Sequence, residues 1–157
     1  MPACVLTIST SVAARERDDE SGPLAARLLD EAGHNVSAME VIPDDLPLIE
    51  DRIHHYVDEG FTLIVTTGGT GPAVDDVTPE ATRAAIERPA PGLAAAVRAS
   101  RGSGPAAMLH RGVAGFSDRT LIVNLPGDPD AVQAALIAIA PAIDAAIEAL
   151  LPQTGER

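Results

Sequence analysis

The sequence predicts an α/β fold, a mostly parallel sheet with helices on both faces. Two observations carry this. Short apolar, β-branched runs such as Leu63-Ile64-Val65 alternate along the chain with segments whose apolar residues recur at helical spacing. Loops rich in Gly, Pro and Asp follow the strands and pass straight into helix starts, the pattern of repeated β-loop-α units.

Taken in order, Cys4–Ile8 reads as a strand and Ser9–Glu20 as an exposed polar loop. Ser21-Gly22-Pro23 enters a helix with Ser21 as N-cap and proline in the first turn. Leu24, Leu28 and Leu29 form its apolar stripe, and Gly33 closes it. Asn35–Ile42 is the second strand. Pro43-Asp44-Asp45 leads into a helix with Leu48, Ile49, Ile53 and Val57 on one face, ending at Gly60. After the third strand and a glycine loop, Thr78-Pro79 starts a helix to about Glu87, with Thr78 as N-cap. Pro91-Gly92 starts a short helix to about Arg101, and Gly102–Pro105 is a loop. Gly112–Phe116 and Thr120–Leu125 pair as strands around a Ser117-Asp118 turn. Asp130–Leu151 is helical and Ala-rich, with Pro141 starting a second helix or kinking the first. There is no internal repeat or linker, so 1–157 reads as one domain.

Composition narrows the function. The net charge is −12 and all 11 basic residues are arginine. Without lysine there is no Walker A loop and no Schiff base. Without a basic patch nucleic-acid binding is not expected, and Tyr56, Phe61 and Phe116 are too few to stack bases. Acidity with arginine alone fits either a GC-rich genome or a saline cytoplasm. The single cysteine, Cys4, lies in a strand and reads as a buried thiol. No apolar run approaches membrane-spanning length and the N-terminus lacks a signal pattern, so no membrane partner and a cytoplasmic location are expected.

Chemistry concentrates in Phe61–Glu80, FTLIVTTGGTGPAVDDVTPE. A buried strand empties into Gly68-Gly69-Thr70-Gly71-Pro72 just before a helix. Glycines let backbone N–H groups approach an anion, and the helix N-terminus favours negative charge. Two aspartates in the same loop, Asp75 and Asp76, suit a phosphate site only with a metal. In a parallel sheet ligands bind beyond the carboxyl ends of strands. The acidic loops Pro43–Asp45 and Gly68–Asp76 both follow strands and can meet at one rim. Either Asp44 or Asp45 can instead cap the following helix, and Gly68-Gly69 can make a tight turn. His54 and His55 read as surface or interface residues, and the Ala/Ile pattern of the tail as core or subunit contact.

These residues carry a resemblance. The stretch GGTGPxxxDVTPEAT resembles the signature of the MogA/MoaB molybdenum-cofactor family, which includes the G domain of gephyrin. Ile42-Pro43-Asp44-Asp45 is similar to that family's IPDD segment, and Asp18–Pro23 to its DxSGP segment. Pro91-Gly92-Leu93, Leu109–Gly112 and Asn124–Gly127 resemble PGL, LSRG and NLPG. In this order the blocks cover about Ser9 to Val132.

The resemblance implies a three-layer α/β/α sandwich, a homotrimer, a molybdenum-insertase partner and Mg²⁺-dependent transfer of AMP from ATP to the terminal phosphate of molybdopterin. By motif match Asp44 and Asp76 are the catalytic and Mg²⁺-linked residues, leaving Asp45 as the cap. Gly68, Gly69, Thr70, Gly71, Pro72, Ser21, Gly22, Pro126 and Gly127 would bind substrate. Joining two polyanions requires charge neutralisation, and Mg²⁺ needs few protein ligands to supply it.

The chain departs from the family pattern at five positions. Asp75 stands where relatives often carry arginine, Asp128 and Asp130 replace residues of LPGSPK, His110 replaces the serine of LSRG, and Thr10 an acidic residue. Charges of the wrong sign near a polyanion site cost on the order of 1 kcal/mol each near the surface, which a second Mg²⁺ or high salt would offset. Two further readings stand beside adenylyl transfer. One is a MoaB-type protein that binds molybdopterin without catalysis. The other is a CinA-like nucleotide pyrophosphatase, because GPAVDDVT also resembles the GGLGPTxDDxT loop.

Overall fold

Alternate residues along three central strands are buried on opposite faces of one sheet, and that alternation sets the layers. The computed structural model describes Pro2–Pro152; residues 1 and 153–157, the ends of the expected domain, lie outside the described residues. In chain order the elements are β1 (Pro2–Ile8), α1 (Thr10–Ala13), α2 (Ser21–Glu31), β2 (Asn35–Ile42), α3 (Leu46–Asp58), β3 (Leu63–Thr67), α4 (Thr78–Ala85), β4 (Arg88–Pro89), α5 (Pro91–Ala99), α6 (Pro105–Leu109), β5 (Ala114–Ser117), β6 (Thr120–Leu125) and α7 (Pro129–Leu150).

The sheet order is β2-β1-β3-β6-β5-β4. β2, β1, β3 and β6 are mutually parallel, while β5 runs antiparallel to both β6 and β4. On one face Ala3, Val5, Leu63, Val65, Leu121 and Val123 pack with α2, α5 and α7. On the other, Cys4, Leu6, Ile64 and Ile122 pack with Ile49 and Ile53 of α3 and Ala81 and Ala85 of α4. This is the expected three-layer sandwich. Strands covered on both faces read as continuous apolar runs, which is why the sequence displayed them.

Several local expectations are corrected. The loop after β1 contains the one-turn helix α1, capped by the Ser9 hydroxyl, which accepts from Val12 N. Ser21 does not cap α2. It is the first helical residue, and Asp19 Oδ1 accepts from Gly22 N instead. Thr78 likewise begins α4 rather than capping it; no side-chain cap is present there. The strand expected at Gly112–Phe116 begins at Ala114, and β4 and α6 are additional elements. Asp45 does cap α3, accepting from Leu48 N at 3.2 Å.

Pro141 neither breaks α7 nor starts a second helix; α7 runs unbroken for 22 residues. Proline leaves the carbonyl four residues earlier without its partner, and both Pro141 and Ile137 are exposed, where water can serve that carbonyl. By length and composition α7 is apolar enough to cross a membrane, contrary to the expectation that no such run exists. One stripe of it, including Val132, Ala135, Ile139 and Ile143, is docked in the core.

Candidate functional site

The parallel strands bring their carboxyl ends to one rim. Chain order reverses between β1 and β3, because β2 lies on the far side of β1, and a crevice opens at such a switch point. Thr7 and Ile8 of β1 with Ser9 after it, Asp44 after β2, Thr67 of β3 with Gly68 and Gly69 after it, and Gly127 after β6 line a cleft of about 440 Å³ there. A second lobe of about 310 Å³ lies on the other side of the glycine loop, between the ends of β3 and β6. The lobes share Gly68, Gly69, Asp76 and Gly127.

The glycine loop is tied down at several points. Gly68 N donates to Leu125 O at 3.1 Å, joining the loop to the end of β6. The Thr78 hydroxyl donates to Gly68 O at 3.0 Å and Thr78 N to Gly69 O at 3.1 Å. That occupation is why Thr78 does not cap its own helix. Gly68 and Gly69 have φ of +89° and +67°, conformations that disfavour side chains. A Cβ on Gly69 would also run into the Thr78 hydroxyl and lie 3.3 Å from Asp44 Oδ1. Close approach to the Ile8 carbonyl at Gly68 and to Thr78 and Asp44 at Gly69, as well as a turn, therefore requires these glycines.

Arg111 is the residue the sequence did not reveal as part of the site. Its Nε donates to Gly71 O at 2.8 Å and its Nη2 to Asp76 O at 2.7 Å. Nη1 and Nη2 also grip the Glu80 carboxylate at 2.8 and 3.2 Å, and its backbone N–H donates to Thr70 O at 2.8 Å. The guanidinium holds the Glu80 carboxyl below its usual range. A planar fork of donors suits this clamp in a way an ammonium does not. With the carbonyls of Gly69, Thr70 and Gly71 engaged elsewhere, the N–H groups of Gly69, Thr70 and Gly71 have no acceptor among the described residues. The LSRG-like segment was the only sequence signal for Arg111.

The two candidate acids flank this loop. Asp44 Oδ2 accepts from Thr10 N at 3.0 Å and from the Thr10 hydroxyl at 2.9 Å, while Asp44 N donates to Thr10 Oγ1 at 3.0 Å. Asp76 Oδ2 accepts from Ala73 N at 3.1 Å and lies 2.8 Å from where a Gly71 Cβ would stand. Each carboxylate keeps its Oδ1 without a partner among the described hydrogen bonds. Two half-open, hard oxygen donors on one cleft fit a Mg²⁺ ion that takes its other ligands from substrate phosphate and water. Among the described residues, no group of three or more His, Cys, Asp or Glu side chains is placed to hold a metal alone.

The other expected site residues divide. Thr70, Gly71, Pro72 and Pro126 line the second lobe. Ser21 lines the first, its hydroxyl 3.0 Å from that of Thr67. Gly22 lines neither: a Cβ there would collide with Thr7 Oγ1 and lie 2.5 Å from Asp19 Oδ2, so its place is in packing. Of the added acids, Asp75 and Asp130 are exposed and line neither lobe. Asp128 lines the first lobe and also caps α7, accepting from Ala131 N at 3.2 Å. Two of the three added acids thus stand outside the cleft wall, and the third is occupied as a helix cap.

The first lobe also carries Asp18, Asp19, Glu20 and the cation Arg17. His110 lines the second beside Arg101. Burial, reinforced by Arg101 and Arg98, pushes the His110 imidazole down to about 4, so it is neutral at pH 7. Behind the loop, Asn124 Nδ2 donates to the hydroxyls of Thr66 and Thr82 at 2.9 and 3.0 Å, and its Oδ1 accepts from Val113 N. That buried network locks β6 to β3 and α4 beneath the site.

Comparison with known proteins points one way. The family model described as a probable molybdopterin binding domain matches residues 4–145. The molybdopterin adenylyltransferase of Helicobacter pylori strain J99 is 40% identical over 114 residues, covering 71% of this chain and 65% of that protein. The chain spans about half to two thirds of the length of the curated relatives bearing that name. A solved structure of MogA superposes with a TM-score of 0.91 at 37% identity, over 96% of this chain and 100% of the other. MoaB from Thermus thermophilus superposes with a TM-score of 0.87 at 38% identity, over 94% and 96%.

Proposed function

The chain belongs to the family of molybdopterin-binding domains shared by MogA and MoaB proteins, and we propose that it transfers AMP from ATP to the terminal phosphate of molybdopterin, releasing pyrophosphate. The observation that carries this reading is the two-lobed cleft, whose lobes meet at Asp76 and the glycine loop. Transfer between two phosphate-bearing substrates needs two adjoining compartments with one shared seam. In the reaction an oxygen of the molybdopterin phosphate attacks the α-phosphorus of ATP, and the bond from that phosphorus to the bridging oxygen breaks, freeing pyrophosphate.

Asp44 and Asp76 would hold Mg²⁺, which when bound neutralises phosphate charge at the reacting centre. The N–H groups of Gly69, Thr70 and Gly71 would receive phosphate oxygens, in orientations set by Arg111 and Thr78. Thr10 would keep Asp44 turned toward the cleft. A cytoplasmic homotrimer that hands its product to a molybdenum insertase is part of the same reading.

The test is pyrophosphate release from Mg-ATP by purified protein, with and without molybdopterin, with Asp76→Asn as control. Release that requires molybdopterin and is lost in D76N supports the transferase. Molybdopterin binding without release at low or high salt would select the binding-only reading. Cleavage of ATP to AMP and pyrophosphate, or of ADP-ribose to AMP and ribose 5-phosphate, that ignores molybdopterin would select a pyrophosphatase.

A further inference from the structure

His110 stands one residue past α6, 4% exposed, against the second lobe. Neither of its ring nitrogens has a hydrogen-bond partner, and among the described residues they are the buried side-chain polar atoms in that condition. A neutral imidazole carries one N–H donor and one lone pair, and leaving both unused inside a protein is unfavourable. Native structures seldom keep such a group without a use. Room for the ring is made by Gly112, where a Cβ would lie 2.5 Å from Nε2.

The lobe in front of the ring is lined mostly by donors, the Asp76 carboxylate at its seam with the first lobe being the exception. Gly69, Thr70 and Gly71, whose N–H groups are free, border it together with Arg101, while the three carbonyls are taken by Thr78 and Arg111. Pro72, Leu109 and Pro126 add apolar wall. Such a surface suits an anionic group on an organic carrier.

We propose that His110 is a ligand-binding residue of this lobe, its ring rotating forward to donate one hydrogen bond to an oxygen of a phosphate ester seated on the Gly69–Gly71 N–H groups. Rotation is required because neither nitrogen reaches the lobe surface in the present packing. The inference rests on the reading of the cleft as a site for two phosphate-bearing substrates. Both substrates carry the recognised group, so the experiment has an arm for each.

Calorimetric titration of wild type, His110→Ala and His110→Gln with Mg-ATP and, separately, with molybdopterin reads the affinities. Nitrogen-15 NMR of the wild-type histidine rings reads the contact itself. H110A should weaken one of the two ligands by about tenfold or more and leave the other unchanged. H110Q, which keeps an N–H donor, should restore part of the loss. The His110 ring signals should shift on addition of that same ligand, a response that a purely structural residue would not give. The ring signals come from unaltered protein, so they decide the matter even if H110A folds poorly. Unmoved ring signals at saturation, or equal affinities in H110A, overturn the assignment while leaving the transferase reading intact. Wild type that binds neither ligand overturns both.

Discussion

Arg111 Nη2 donates to the backbone carbonyl of Asp76 at 2.7 Å across 35 residues of sequence. The same side chain holds Gly71 O and Glu80, so one guanidinium fixes both ends of the loop that carries Asp76. A misplacement of about 1 Å at a reacting centre can lower a rate on the order of 10²-fold. Arg111→Gln is expected to lower kcat for pyrophosphate release by roughly that factor, with a smaller change in the KM for ATP. Arg111→Lys should fall nearly as far, because an ammonium cannot reproduce the fork. Full kcat in the lysine variant would remove Arg111 from this role.

Thr10 holds Asp44 through two donors, one of them its hydroxyl. Thr10→Val keeps the shape and deletes the hydroxyl, which also leaves Asp44 N without its acceptor. The expected result is a loss of about tenfold in kcat, the scale of one hydrogen bond to a charged group, with near-normal thermal stability. Thr10→Ser should retain activity. Steady-state kinetics of the two variants side by side makes the check.

The buried, neutral His110 makes stability depend on pH over a particular range. Its folded pKa of about 4 lies below the ordinary histidine value of 6.5. The unfolded chain therefore takes up a proton first as pH falls, and the stabilisation, full above about 6.5, drains away toward 4. Between pH 7 and pH 5 this amounts to about 2 kcal/mol. Glu80 and Glu40, both held below the usual 4.5, add their losses only at lower pH. Urea denaturation at pH 7 and pH 5 should show this loss in wild type and a smaller one in His110→Ala. Equal losses in both would mean that the ring takes up its proton in the folded protein as readily as in the unfolded chain.

Cys4 is fully buried in β1, and burial, with the neighbouring Glu40 carboxylate, pushes its thiol up to about 12. A thiol that is neither exposed nor ionised does not attack thiol-directed reagents. Native protein at pH 8 should therefore give no reaction with an aromatic disulfide reagent over minutes, and one thiol per chain after unfolding. Rapid labelling of the native protein would place Cys4 outside the core.

The sequence determined the layers and the rim. Its buried strands announced themselves as apolar runs, since strands covered on both faces leave little place for polar residues, and Asp45 announced α3 because a cap acts within its own turn. The glycine loop and the two aspartates were legible for the same reason: their chemistry is local. Tertiary structure alone decided what depends on partners far along the chain. Thr78 and Ser21 both look like caps, yet each hydroxyl serves another strand end, Gly68 O in one case and Thr67 in the other. The two-residue β4 exists only because β5 lies beside it, and Pro141 is tolerated because that stretch of α7 faces water. Arg111 reads as one arginine among many until folding carries Gly71, Asp76 and Glu80 to it. A hydrogen bond between residues so far apart along the chain leaves no periodicity or spacing in the sequence from which it could be read.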